Sequence, residues 1–304
     1  MLRARKRWLA VALLLVATSG VLIGVYRYKH RFVRSGQDLL GLLPRRNATV
    51  FFADIAALRR TGYLQLLAGA KRTEEPEYAE FVHQTGFDYT KDADEIAAAA
   101  KSGQIFSALR GRVQWARVWQ YMTAHGTCKD DFCQTPASTP GRWVSIVRIQ
   151  PDVIGLAVSG DPAAAKRIRP ASERPELASS APVWIMPSRA ALTDTAELPM
   201  AIRVFAISLQ SADSLVLSLQ PANQTGEAFE IQIDATFANA ATADTARTQL
   251  EIDTQMLKRG FARERQLTGP ADFTGLLTGG TFQVRNRNLT GSWPVRQELL
   301  ASIR

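Results

Sequence analysis

The chain has 304 residues, 46% of them hydrophobic and 21% charged, a composition that excludes global disorder and low-complexity architectures. Its formal charge is +9, yet residues 1–34 hold eight basic residues and no acid, which leaves the rest close to balanced. A body with no charge excess cannot neutralise a phosphate backbone, so a nucleic-acid partner is excluded.

Trp8 to Tyr26 is an uncharged run of 19 residues. As a helix it spans about 28 Å, close to the hydrocarbon thickness of a bilayer, with an aromatic ring at each end. Ala17-Thr18-Ser19 resembles a signal-peptidase site, but the apolar run continues to Val25, so an uncleaved anchor is expected. Basic residues flank both ends. Arg27, Lys29, Arg31 and Arg34 follow the span and read as head-group anchors. The short stub before the span places the N-terminus in the cytoplasm and the body outside it, in a single pass through the inner membrane.

Gly36 to Asn47 reads as a linker, and Thr49 to Ala53 as a buried strand. Tyr63/Leu66/Leu67/Ala70, Tyr78/Phe81/Val82/Thr85 and Ala93/Ile96/Ala97/Ala100 each repeat at i, i+3, i+4, i+7, which predicts three helices. Gln104–Leu109 reads as a strand, and Trp115/Val118/Trp119/Met122 as another amphipathic helix. Trp143–Ile149 and Val153–Val158 form a predicted hairpin, and Asp161-Pro162 opens a short helix. Pro170 to Pro182 reads as a connection, with Val183–Met186 as one more strand within it. Beyond it, Ala201–Leu209 and Ser214–Leu219 are expected to form a hairpin. Phe229–Thr236 alternates as a strand with one wet face. A long helix follows over about 239–259, with Ala243, Ala246, Leu250 and Leu257 turned inward. A hairpin over 282–293 and a helix over 294–303 close the chain.

The order strand, helix, hairpin, helix thus occurs twice. It predicts an α+β protein: an N-terminal transmembrane helix, then two related modules with mostly antiparallel, ferredoxin-like sheets. The expected boundaries are 1–34 for stub, anchor and flank, 35–170 for the first module, 171–199 for the connection and 200–304 for the second module.

Chemistry-bearing motifs are sparse. Cys128 and Cys133, five apart, are disulfide candidates. With His125 they form a weaker three-ligand metal alternative, because a structural zinc needs a fourth ligand that the spacing does not supply. The acidic run Asp88, Asp92, Asp94, Glu95 lacks the glycine and distal glutamate of a calcium loop. Asp92 and Glu95 instead have the spacing of a capping box for a helix to follow. Lys166, Arg167 and Arg169 form a small basic cluster and are weak ligand candidates. Gly279-Gly280 stands alone, with no dinucleotide or P-loop fingerprint around it. No cofactor is expected, and no catalytic residue is assigned.

Three stretches carry a resemblance. Leu42-Leu43-Pro44 leads to Phe52-Ala53-Asp54-Ile55-Ala56-Ala57-Leu58-Arg59. Phe81-Val82-His83-Gln84-Thr85-Gly86-Phe87-Asp88-Tyr89 leads to Asp92-Ala93-Asp94. The third is Ala108-Leu109-Arg110-Gly111-Arg112. Together they resemble a loosely defined group of uncharacterised, membrane-anchored bacterial envelope proteins. The resemblance implies an α+β extracytoplasmic region and transfers no activity. The expected role is therefore a non-enzymatic scaffold or protein-binding role in the envelope, with a protein partner or a second copy. The alternatives are an envelope hydrolase or transferase with a site between the modules, drawing on Asp88, Arg110, Arg112 and His125, and a binder of anionic glycan or lipid.

Overall fold

Alternating β-branched and small residues need partners on both edges, and the sheet supplies them along its whole width. A computed structural model of the protein describes residues 33–68, 76–170, 175–196, 198, 200–222, 227–263, 273–296 and 299. Helix α1 (Gly36–Leu42) precedes strand β1 (Thr49–Asp54). Helices α2 (Ile55–Arg60), α3 (Tyr63–Ala68), α4 (Pro76–Thr85) and α5 (Tyr89–Asp92) follow. Then come β2 (Ala93–Lys101), β3 (Gln104–Gly111), α6 (Trp115–His125), β4 (Thr127–Lys129), β5 (Phe132–Pro136), β6 (Trp143–Gln150), β7 (Val153–Ser159) and a 3-10 turn (Ala164–Arg167). The second half holds β8 (Val183–Met186), α7 (Arg189–Thr193), α8 (Met200–Ser208), β9 (Ser214–Pro221), β10 (Glu227–Thr236), α9 (Ala240–Arg263), α10 (Phe273–Thr278), β11 (Thr281–Arg285) and β12 (Asn288–Arg296).

These strands make one antiparallel sheet of 12, in the order β11-β12-β10-β9-β8-β1-β2-β3-β7-β6-β5-β4. The expectation of two ferredoxin-like modules is therefore corrected. The short strand β8, from the predicted connection, pairs with β1 on one edge and β9 on the other, so a single sheet runs through. Within it the two halves repeat one plan. Each is a three-strand meander with helices between its first two strands, followed by a helix and a hairpin whose last strand returns to the third strand.

Four local expectations are also corrected. Ala93–Ala100 is strand β2, not a helix: its alanines satisfy either period, and pairing with β1 and β3 selects the strand. Residues 200–208 are helix α8, not a strand, because Ile202, Phe205, Ala206 and Leu209 fall on one helical stripe. The linker before β1 contains α1, whose Leu39, Leu40 and Leu42 are core. Ser35 starts it, its backbone N–H and hydroxyl both donating to Asp38 Oδ2. Strand β12 continues to Arg296, so the predicted closing helix does not begin at Pro294. The Trp8–Tyr26 segment lies outside the described residues, and among those described no helix is long and apolar enough to cross a membrane.

The back face of the sheet buries Val50, Phe52, Ala97, Phe106, Val153 and Trp184 under α1 and the 3-10 turn. Over β9, β10 and β12 the same face is polar. There Gln220 Nε2 donates to Gln232 Oε1 at 2.7 Å, and Gln232 Nε2 donates to Asp234. The front face is covered by helices along its length. Helices α2 to α4 cover Ala53 and Ile96, α6 covers Cys133 and Ile146, and α8 to α10 cover Leu215, Ile233 and Leu289. Cys128 and Cys133 face each other across β4 and β5 and form a disulfide.

Candidate functional site

The front face of the second half is not packed solid. Ile185 on β8, Leu217 on β9, Ile231 and Ile233 on β10 and Trp293 on β12 form an apolar floor. Ile202, Phe205, Ala206 and Leu209 from α8 and the turn after it, with Leu192 of α7 and Leu276 and Leu277 of α10, form the roof. Between them lies a cavity of about 490 Å³. This falls in the range of roughly 300–1,000 Å³ typical of ligand pockets. Alternation in the strands sends every second residue to this face, and the 3.6-residue period of α8 sends its stripe to meet them. Among the described lining residues only Thr49 and Trp293 carry polar side-chain atoms. The Trp293 indole N–H is buried and has no hydrogen-bond partner. Its ring meets Phe205 and Phe282 edge-on, at centroid distances of 6.0 and 5.3 Å. Gly280 makes room for it: a Cβ there would stand 2.5 Å from Nε1. That is the role of Gly280 in the otherwise isolated Gly279-Gly280 pair.

The residues singled out in the sequence lie elsewhere. Those of the three resembling stretches meet at one end of β1, β2 and β3 and form a structural lock. Asp54 Oδ1 caps α2 by accepting from Ala57 N at 2.7 Å. Arg59 donates to the carbonyls of Thr90 and Ala93. Asp88 caps α5, accepting from the backbone N–H of Thr90 at 3.0 Å and its hydroxyl at 2.6 Å, with Lys91 Nζ 3.0 Å away. Asp92 Oδ2 accepts from Asp88 N, and Arg112 pairs with Asp92 Oδ1 at 3.1 Å. Arg110 pairs with Glu95 at 3.0 Å and donates to Arg34 O. The expected Asp92/Glu95 capping box is absent, since the residues it was to cap are β2; Asp94 instead stands 3.8 Å from Arg59.

Burial pushes the Asp88 carboxyl up, but the bonds from Thr90 and Lys91 outweigh it and hold the group down at about 2, against 3.8 ordinarily. Burial first, and the Asp88 charge second, push the Tyr78 hydroxyl up to about 12. Burial also raises Glu95, with Arg110 opposing. Because Asp88 is depressed in the folded state, its contribution is complete above its unfolded pKa and is lost as pH falls through about 2. Asp88→Asn is expected to remove about 2 kcal/mol at pH 7. Urea unfolding at pH 7 and pH 2 checks this: wild type should lose about that much more than the variant on acidification.

His125 is exposed at the C-terminal end of α6, its Nδ1 2.8 Å from Tyr121 O. The helix places it about 15 Å along the axis from Trp115, the end nearest Arg110 and Arg112. The structure therefore does not gather His125 with the other three residues of the enzyme alternative. With Cys128 and Cys133 in a disulfide, the three-ligand metal alternative lacks its thiolates. Lys166 Nζ lies 4.6 Å over the Phe132 ring, and the Arg167 guanidinium 4.7 Å over that of Phe106. Arg167 also reaches Asp161 and Gln104, and the Arg169 backbone N–H donates to Leu42 O. Two of the three basic candidates thus have aromatic partners within the fold. Arg27, Lys29 and Arg31 lie outside the described residues.

No known protein-family profile matches the sequence, and no curated protein matches it. Three solved structures of one protein align with it. Crystal form III of TP0453 gives a TM-score of 0.49 at 10% identity, over 88% of this chain and 97% of that one. Crystal forms IV and I give 0.45 and 0.41 at 11% identity, each over 88% of this chain and 96% of theirs. At these scores and identities they add no argument about site or function.

Proposed function

We propose that the protein is a non-enzymatic, membrane-anchored binding protein of the bacterial envelope whose cavity takes one alkyl chain of a membrane lipid. The cavity beneath α8 is the observation that carries this reading. An apolar space of this volume gains by exchanging water for a methylene chain and offers little to a polar ligand. The Trp8–Tyr26 run supports the lipid as occupant, since a body tethered by it stands next to the bilayer. The disulfide is in keeping with an oxidising, extracytoplasmic compartment. A lipid chain replaces the protein partner expected from the sequence, because an apolar recess between sheet and helices suits a chain better than a flat interface does.

The test uses the full chain in lipid nanodiscs that contain a phospholipid with a diazirine on one acyl chain. After irradiation, labelled peptides are mapped by mass spectrometry. Labels are expected on α8, β9 and β10, and Ala206→Trp, which puts an indole into the cavity, should reduce them about tenfold. Labels confined to the 8–26 segment would overturn the proposal.

A further inference from the structure

Strand register brings four segments to one end of the first half. They are 43–49 before β1, the β2–β3 turn at 101–104, 136–143 between β5 and β6, and 158–170 from the end of β7. Together they hold Arg45, Arg46, Lys101, Arg142, Lys166, Arg167 and Arg169, and a single acid, Asp161. Four of these cations surround the β2–β3 turn. Lys101 Nζ donates to Arg46 O at 3.2 Å, and Arg142 donates to Gly103 O and Val158 O. Arg167 donates to Gln104 Oε1 at 3.3 Å. Arg46, Lys101 and Arg167 are exposed, as are Ser102 and Gly103 of the turn itself. Among the described residues, Asp161, 3.7 Å from Arg167, is the only carboxylate paired with any of the four. The other three charges are left without a counter-charge, and four cations spread over an exposed turn suit an extended anionic surface better than one small anion.

The chain leaves for its anchor at the opposite end of the same strands. Val33 N donates to Gln150 Oε1 at 3.2 Å, and Arg110, near the last residue of β3, donates to Arg34 O. Gln104, at the basic end, is the first residue of β3, and the strand is about 25 Å long. Only six residues separate Val33 from Tyr26. They reach at most about 20 Å, so the Arg110 end stays close to the anchor's bilayer and the basic turn stands a strand's length beyond it. The alkyl-chain cavity reaches this basic end as well. Thr49 lines it and pairs with Ala100, the neighbour of Lys101.

We propose that this end docks on a second bilayer, one rich in anionic phospholipid, with Arg46, Lys101, Arg142 and Arg167 facing its phosphates. The inference rests on the anchored, lipid-binding reading above and gives that reading a direction. The anchor holds one bilayer, and the basic turn meets another beside the Thr49 end of the cavity. Charge complementarity selects an anionic surface. The neighbouring alkyl-chain cavity favours a phospholipid bilayer over an anionic polysaccharide, which has no chain to place there.

The test holds the full chain in nanodiscs of phosphatidylcholine alone and offers it vesicles of phosphatidylcholine with or without phosphatidylglycerol. Co-flotation of discs with vesicles reads the docking. Discs should float with the phosphatidylglycerol vesicles only, and raised salt should release them. Arg46→Gln combined with Lys101→Gln should weaken docking about tenfold or more. The charge-retaining pair Arg46→Lys and Lys101→Arg should leave it unchanged. So should Lys258→Gln combined with Arg259→Gln, which removes the same charge from the exposed side of α9. Docking equal on both vesicles, equal loss from the α9 pair, or displacement of the vesicles by polygalacturonate at matched charge would each overturn the proposal. Failure of the chain to copurify with the discs would overturn the anchor reading and the bridge with it. Copurification without docking would overturn the bridge alone.

Discussion

Trp184→Ala should lower stability by about 3–5 kcal/mol, and it should do so for both halves of the sheet in one transition. Trp184 is 2% exposed and stacks on Phe52, with ring centroids 5.8 Å apart. It stands on β8, the four-residue strand through which the halves join. Its indole N–H has no partner, so part of the packing it supplies is already offset by a buried donor. Trp184→Phe removes that donor and keeps most of the ring, and it should stay within about 1 kcal/mol of wild type. Urea unfolding followed by circular dichroism, together with amide exchange read in β3 and β10, makes the measurement. Two separate transitions, one of them untouched by the substitution, would show that the halves fold independently.

Gly111→Ala is the second large effect, expected at about 3 kcal/mol or more. A Cβ at this position would stand 2.2 Å from the carbonyl oxygen of Asp92 and 2.9 Å from Ala93 Cα. Both are backbone atoms, and neither can swing aside. They are also held in place, because Arg112 N donates to Asp92 O and Gly111 N donates to Asp152 O. Gly141→Ala is the control. Its φ is +74°, but nothing lies within 4 Å of the added carbon, so only the backbone strain of about 1–2 kcal/mol should appear. Thermal unfolding of the two variants separates the steric term from the conformational one. Equal losses would mean that β2 shifts to accommodate the methyl group.

The elements with a single dominant period were legible. The Trp143–Ser159 hairpin, the Trp115 helix and the wet-faced strand over 229–236 each satisfy one template and fail the other. Ala93–Ala100 satisfied both, because alanine fills helix and strand positions alike, and only its neighbours β1 and β3 decide between them. The misreading of 201–209 followed from its β-branched residues, and it hid the roof of the cavity, since Ile202 and Phe205 share a stripe only in a helix. Joining the halves depends on the partners of Val183–Met186, which are distant in sequence and invisible to local pattern.

The β1–β8 pairing also sets the order in which the molecule can assemble. Ser188 N donates to Thr49 Oγ1 across 139 positions of the chain, just beyond the end of this pair. Closing such a loop is slow compared with forming the hairpins on either side. During synthesis the first meander and its hairpin can close while the outer edge of β1 has no neighbour. That edge stays open until the ribosome has released β8, so a strand at the centre of the finished sheet keeps an exposed margin after its own meander has closed. For several seconds per chain, at a few to some twenty residues per second, this margin is the place where a chaperone or a second nascent chain would bind.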